Sequence, residues 1–427
     1  MSPDHSDPIQ QQPSCQDETD KALAFDAARA LVDSRVRPVG GREVLALRSA
    51  LGRVLDRPLI SPADVPPHRN SAMDGYALDG NDLPPDGSRE LQVVGTSWAG
   101  APYSGPAQVA GQCVRIMTGG KMPETADTVV MQEQAPLIGE ERIRIGSGHR
   151  RGQHVRHPGE DIRRGQELLS AGKRIGPAEL GLLASLGVAE VGVYRRVRAA
   201  YFASGDELRS IGEPLGEGDI YDSNRYTLYG MLTEMGVDMI DMGVVPDRPD
   251  DLAAALCNAA DNADLVLTTG GISVGEADHI KRLISKQWQI LFSRVRLKPG
   301  RPVTFGRWQD SWFFGLPGNP VAAMVAFYQF ARPALRRLQG ETDTAPKRIS
   351  ARAESALRKR RGRTEIQRGI LFRDDEGDLR VRTTGMQGSG VLSSMSRGNC
   401  FIFLEDERDS VAAGEMVTVE PFEMVRF

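Results

Sequence analysis

Several short stretches of this sequence put carboxylates and hydroxyls where buried strands should end. SGDEL supplies Ser204, Asp206 and Glu207; PDRPD supplies Asp247 and Asp250; TTGGISVGEAD supplies Gly270, Gly271, Ser273, Glu276 and Asp278. Each stretch follows an apolar run, so the loops are expected to converge at the same ends of their strands. Carboxylates from separate loops repel one another in one crevice unless a cation neutralises them, and hard oxygen donors suit Mg²⁺. Asp247 and Asp278, with Glu207, are the candidate metal ligands. Asp250 fits a helix N-cap before DLAAAL, and His279 reads as a helix-surface or packing residue. Gly270 and Gly271 serve either a plain turn or a close approach of backbone to an anionic ligand.

Cations are clustered as well. In SRVRLKPGRPVTFG, a period of two puts Arg294, Arg296 and Lys298 on one strand face, with Arg301 just past the Pro-Gly turn. Such a group can grip a phosphate or another oxyanion through charge-assisted hydrogen bonds. It can equally be a solvated edge strand that its charges protect from aggregation. FFGLPGNPVAAMVAF then stops a strand at Gly315, turns through Leu316, Pro317 and Gly318, and enters a helix with Asn319 as cap and Pro320 in the first turn. The free N–H groups of a helix start form an anion site. Together these stretches outline a pocket for a phosphorylated molecule. Asp74 in SAMDGYA and Thr118 in RIMTGGKMP stand out elsewhere, although structural turns also account for both.

The elements that must hold these residues can be read from periodicity. KALAFDAARALVDSRV predicts a helix with Leu23, Ala27, Ala30 and Leu31 inward. Short β-rich runs between 61 and 145 predict a small β domain inserted into a helical one, and helix resumes over 150 to 190 with Pro177 in a first turn. From Arg198, strand and helix alternate through SNRYTLYGMLTEMG, VDMIDMG, DLAAALCNAADN and ADLVLTT. That order predicts parallel pairing with right-handed crossovers and a ligand site at the C-terminal strand ends. The helix from Asn319 kinks or ends near Pro333. GILFRDDEGDLRVRTT predicts a hairpin turning at Asp375 to Gly377, and NCFIFLE and EMVTVEPF further strands.

With 427 residues the chain exceeds one hydrophobic core. The boundaries read as a disordered tail at 1–18; a discontinuous helical and extended domain at 19–60 and 146–185; an inserted β domain at 61–145; a three-layer α/β domain at 186–340; and a β domain at 341–427. A net charge of −4 gives no general attraction to nucleic acid or anionic lipid. Cys15, Cys113, Cys257 and Cys400 lack metal-site spacing and read as packing residues. The absence of a long apolar run argues against a membrane span, and the whole pattern points to the cytoplasm.

Over about residues 20 to 425 the chain resembles the molybdopterin molybdenumtransferases, bacterial relatives of the gephyrin E domain. The resemblance rests on NSAMDGYA, RIMTGGKMPETADTVVMQE, GEDI, SGDEL, IYDSNRY, TTGGISVGEAD, KPGRP, GLPGNPVAA and QGSGVLSSMSRGNCF, in that order. It implies a multidomain α/β plus β protein with a central molybdopterin-binding α/β domain. It implies insertion of molybdate into adenylylated molybdopterin with release of AMP, Mg²⁺ as cofactor, and a homodimer whose active site draws on both subunits. A molybdopterin adenylyltransferase and molybdoenzyme-maturation proteins are the implied partners. The family's functional acids fall on Asp74, Glu207, Asp247 and Asp278, with Thr118 and Ser273 as polar partners. Its basic residues fall on Arg294, Lys298 and Arg301, joined by Arg368 and Ser394 from the last domain. The chain departs from the common pattern in carrying Arg301 where lysine is frequent and Ala322 where many relatives have serine. A catalytically silent dimeric scaffold like gephyrin is the rival reading; mutually repelling acids in one crevice argue against it.

Overall fold

The structure is a computed structural model that describes residues 22–270 and 289–422. It opens with α1 (Phe25–Arg35), whose buried residues are Phe25, Ala28 and Val32, while Ala27 and Ala30 face solvent. The helix is thus rotated from the face its small residues predict. Phe25 sets the rotation: its ring packs on Phe330 and Phe403 with centroids 5.6 and 6.0 Å apart. An aromatic ring buries more apolar area than two alanines, so it wins the inward position. The same contacts dock α1 on the α/β and C-terminal parts of the molecule.

The strands Arg42–Ala46 and Leu59–Ile60 pair antiparallel with Glu190–Tyr194 and Glu167–Leu169. The helix expected over 150 to 190 contracts to α2 (Pro177–Ser185), with its proline in the first turn. Residues 150–176 run instead through turns and short strands; glycine recurs there every few residues, and His154 itself takes a φ of 58°. Between these halves lies a five-stranded sheet of β1 (Gly75–Leu78), β2 (Ser88–Ser97), β3 (Gln112–Ile116), β4 (Thr128–Met131) and β5 (Arg142–Gly146), in the order β4-β1-β3-β2-β5. Tyr76, Leu91, Cys113, Val130 and Ile143 pack on one face and Ala77, Ile116 and Val129 on the other. This sheet therefore has cores of its own. Cys113 is one of its packing residues, with a thiol pKa that burial pushes up to about 12.

The central domain is built from β6 (Arg198–Ser204), α3 (Ser223–Met235), β7 (Asp238–Val245), α4 (Pro249–Asn262), β8 (Leu265–Gly270), β9 (Gln289–Phe292), β10 (Thr304–Trp308) and β11 (Ser311–Leu316). Its sheet has the order β7-β6-β8-β11-β10-β9. The four strands β7, β6, β8 and β11 run parallel, and β10 and β9 continue the sheet antiparallel. Alternation along β6 explains the three layers. Ala199 and Tyr201 enter a core with α1 and α3, whereas Ala200 and Phe202 enter a core with α4. A strand buried on both faces must be apolar along its middle, as Ala199 to Ala203 of RAAYFAS are. Each fully buried Phe or Leu in these layers contributes about 1.5–3 kcal/mol.

The chain then forms α5 (Pro320–Ala326), a π-helical turn at Phe327–Ala331 and α6 (Arg332–Leu338). The irregularity expected at Pro333 thus precedes it. The proline ring cannot face the carbonyl one turn earlier in a regular helix, and the π turn shifts that carbonyl aside. Finally, β12 (Ile349–Ala353), β13 (Thr364–Arg373), β14 (Leu379–Thr383), β15 (Cys400–Leu404) and β16 (Met416–Pro421) close into a barrel, since β13 pairs with both β14 and β15. The β13–β14 hairpin turns where the sequence predicts, with Gly377 N–H donating to the Asp374 carbonyl at 3.0 Å. Ile366, Phe401 and Phe403 of the barrel join the same core as α1 and α5. Across that seam, the Gln329 side-chain amide donates to Glu420 at 3.0 Å. The barrel is thereby fixed against the α/β domain.

Candidate functional site

The register of the central sheet brings four strand ends level. Ser204 on β6 is opposite Val245 on β7 and Gly270 on β8, and Thr269 is opposite Leu316 on β11. At this crest the Ser204 hydroxyl donates to Asp247 Oδ1 at 3.3 Å, and the Asp247 N–H donates to Asp206 Oδ1 at 3.4 Å. Gly270 has a φ of 76°, and a Cβ there would lie 2.0 Å from the Ser204 carbonyl oxygen. Only glycine lets the two strand ends approach so closely. Beside it, the Thr268 and Thr269 hydroxyls, Asp222 Oδ2 and Asn224 Oδ1 are buried without a hydrogen-bond partner among the described residues. Asp222 caps α3 by accepting the Arg225 N–H at 3.1 Å, and burial raises its carboxyl pKa above the usual range. Polar atoms left unpaired in a folded interior call for a ligand or water.

The described acids are placed differently from one another. Glu207 is exposed and folds back over Gly205, where a Cβ would lie 2.7 Å from Glu207 Oε2. Its neighbour Asp206 is the residue that reaches Asp247. Ser273, Asp278, Gly271, Glu276 and His279 lie outside the described residues. Among the described residues no three His, Cys, Asp or Glu side chains gather as a complete metal cage. Asp206 and Asp247 nevertheless bring hard carboxylates from two neighbouring loops to the crest. That donor set suits Mg²⁺, which ordinarily takes one or two protein carboxylates and completes its shell with water and substrate phosphate.

The cationic cluster forms a cavity of about 310 Å³ against this crest. One wall is the turn from Leu297 to Pro302, including Lys298 and Arg301; another is Pro317, Asn319 and Ala322 at the start of α5; the barrel closes it with Arg363, Gln387, Gly388 and Ser389. Cavity and crest are contiguous. A Cβ on Gly318 would lie 3.7 Å from the Gly270 Cα, and Asn224 Nδ2 donates to the Gly318 carbonyl at 2.7 Å. Asn319 makes no side-chain cap bond to its helix and lines the cavity instead. Both departures from the common family pattern, Arg301 and Ala322, sit in this lining.

Burial alternates along 294–298: Val295 and Leu297 are buried, while Arg294, Arg296 and Lys298 alternate with them on the less buried face. β9 ends at Phe292, and Leu297–Lys298 pairs with β13 of the barrel. Arg296 pairs with Asp406 at 3.2 Å, and Lys298 Nζ lies 3.1 Å from the buried carboxylate of Glu365. Arg294 is not part of the cavity wall. Arg368 and Ser394 also lie behind it rather than on it. Arg368 is 0 % exposed, and its guanidinium donates to Ser394 Oγ and to the Gly388 carbonyl, both at 3.0 Å. Burial lowers the Arg368 pKa to about 10. It therefore positions the cavity-lining loop at Gly388, and Ser389 of QGSG presents its residue to the cavity where Ser394 does not. The small-residue run QGSG was the available signal for Ser389; Arg363, in a charged run ahead of β13, gave none.

Asp74 and Thr118 meet each other. The N–H and hydroxyl of Thr118 both donate to Asp74 Oδ1, at 2.7 and 2.8 Å. These bonds hold the Asp74 pKa below the usual aspartate value. The pair sits on the inserted sheet, whose cores contain only residues of that sheet and its flanking loops, apart from the strand-end crest.

The chain matches three family descriptions in succession: "MoeA N-terminal region (domain I and II)" over residues 23–187, "Probable molybdopterin binding domain" over 200–337, and "MoeA C-terminal region (domain IV)" over 350–422. It is 42% identical over 403 residues to a Haemophilus influenzae protein named molybdopterin molybdenumtransferase, covering 94% of this chain and 98% of that one. It is 31% identical over 424 residues to gephyrin of Dictyostelium discoideum, covering 88% of this chain and 58% of gephyrin. Among solved structures it is similar to the molybdopterin biosynthesis MoeA protein of Pyrococcus horikoshii, with a TM-score of 0.81 and 27% identity over 94% of this chain and 100% of that one.

Proposed function

This chain belongs to the MoeA family of molybdopterin molybdenumtransferases, and from that premise we infer that it inserts molybdate into adenylylated molybdopterin and releases AMP. The observation that carries this reading is the continuity of an acidic crest with a cationic cavity through Gly270, Gly318 and Asn224. Adenylylated pterin and molybdate are both anions, and bringing them together costs Coulomb energy that opposite charge on the protein offsets. In this reading the pterin and its phosphates lie along the strand ends, where Ser204, Thr269 and the start of α3 offer polar groups. Molybdate occupies the cavity beside Lys298 and Arg301. Asp247 and Asp206, with Asp278, would hold Mg²⁺; bound there, the ion supplies positive charge against the phosphate that leaves with AMP. Arg368 keeps the Gly388 carbonyl in place, and the Lys298–Glu365 pair fixes the position of the turn that carries Arg301.

We also infer a homodimer. Ile211, Leu215, Ile220, Tyr221, Tyr226 and Tyr229 are large apolar or aromatic residues left exposed along one stretch of the α/β domain. Such a patch exceeds what single exposed residues explain and suits a second copy of the chain. A partner subunit also gives Asp74 and Thr118 a route to the crest. No described helix is long and apolar enough to cross a membrane, and we place the protein in the cytoplasm, between an adenylyltransferase that supplies its substrate and the molybdoenzymes that receive its product.

The test is incubation with adenylylated molybdopterin, molybdate and Mg²⁺, scoring AMP. AMP release that depends on molybdate supports the assignment. Binding of the pterin with no AMP formed, at any molybdate concentration, overturns it in favour of a scaffold.

A further inference from the structure

We propose that Arg363 is an oxyanion-binding residue of the cavity and that, with Arg301, it sets the preference for a doubly charged ligand. This deepens the reading of the cavity as the molybdate site and rests on it. Among the described residues the lining carries three cations, Lys298, Arg301 and Arg363, and no acid. They are not equivalent. Lys298 is paired with Glu365, whose side chain is 6% exposed and which also accepts the Gln367 side-chain amide at 2.9 Å. That pair is neutral and tied into the barrel. Arg301 and Arg363 are exposed to the cavity and form no ion pair among the described residues. The cavity therefore presents two uncompensated positive charges, which matches a tetrahedral dianion.

Arg363 is also mounted rigidly. Gly362, directly before it, has a φ of 102° and donates its N–H to the Asp406 carbonyl at 3.1 Å; Thr364, directly after it, donates its N–H to the Arg296 carbonyl at 3.0 Å. β13 starts directly after Arg363, and its first residues Thr364 and Glu365 pair with Leu297 and Lys298, so Arg363 and Lys298 line the same cavity. The anchored backbone fixes where the side chain starts, and the guanidinium fork matches two oxygens of an oxyanion.

The experiment is equilibrium dialysis of the full chain against molybdate, without pterin, alongside the molybdate dependence of AMP release. Arg363→Ala should weaken molybdate binding by about ten- to a hundredfold, the loss of one charge-assisted contact. The half-saturating molybdate concentration should rise to match, more than the maximal rate falls. Arg363→Lys should recover part of the loss, because charge is kept and the fork is not. Arg301→Ala separates the two levels of inference. If it weakens binding while Arg363→Ala binds like the unaltered chain, the assignment of Arg363 is overturned and the cavity stands. If neither substitution alters dialysis or the half-saturating concentration, the cavity is not the molybdate site and both fall.

Discussion

The crest and the cavity are built in opposite ways. The crest takes its form from consecutive strand ends of one sheet, so its residues come from loops that the parallel order places side by side. The cavity takes one wall from the turn after β9, one from the start of α5 and one from the barrel, segments separated by tens of residues and brought together by docking of one domain on another. The crest depends on backbone approach and the cavity on charge pairing. Substitutions should therefore fail differently: at the crest through structure, at the cavity through ligand affinity.

The largest effect expected is at Gly270. Its φ of 76° and the 2.0 Å approach of a Cβ to the Ser204 carbonyl make Gly270→Ala a clash against backbone, which cannot move aside as a side-chain tip could. The cost is on the order of 3 kcal/mol. Gly270→Ala should lower the melting temperature by several degrees and remove AMP release. Gly318→Ala is the matched control, because its Cβ would meet Gly270 at an ordinary 3.7 Å and should leave the melting temperature unchanged. Equal melting of both variants would show that the crest is not the backbone-limited region described here.

The next effect concerns how the inserted sheet reaches the crest. Asp74→Asn and Asp247→Asn are each expected to abolish AMP release in a pure preparation. If a second subunit supplies Asp74, unfolding and refolding the two variants together yields mixed dimers in which one site holds both native acids. About a quarter of the native sites then return, from random pairing in a two-fold dimer. Recovered AMP release in the mixture is the expected result. With one variant isotopically labelled so that mass identifies the mixed dimers, an inactive mixture that contains them would place both acids in one subunit's site.

Much of the crest was legible in the sequence and little of the cavity was. Apolar runs ending in glycine, serine or aspartate mark strand ends, and alternation of strand with helix predicts their parallel order, so Ser204, Asp247 and Gly270 fall where expected. Asp206, which accepts the Asp247 N–H, was not singled out because periodicity does not say which of two adjacent acids turns inward after a strand stops. In the cavity, the period of two over Arg294, Arg296 and Lys298 does not reveal that Leu297–Lys298 pairs with the barrel, where Arg296 meets Asp406 and Lys298 meets Glu365. Arg363 could not be found at all, since its role depends on Glu365 already neutralising Lys298. The rotation of α1 was misread for a related reason: its partners, Phe330 and Phe403, lie some three hundred residues away.

The smallest expected effect lies at Asp74, whose hydrogen-bond partner is already in place without ligand. The Thr118 N–H, and then its hydroxyl, hold the Asp74 carboxyl below the ordinary value of 3.8. A carboxyl with a depressed native pKa stabilises the fold above its unfolded pKa, and that contribution is lost as pH falls through the native value. Between about pH 5 and 8 the contact is therefore insensitive to pH, and it should loosen only below about 4. Thr118→Val removes the hydroxyl but keeps the N–H, so Asp74 should titrate at higher pH than in the unaltered chain and still below a free aspartate. The amide proton of residue 118, followed by NMR through an acid titration, reports this directly. A midpoint at or above the free aspartate value in the unaltered chain would mean that the contact does not persist in solution, and that the inserted sheet presents a loose acid where the structure shows a fixed one.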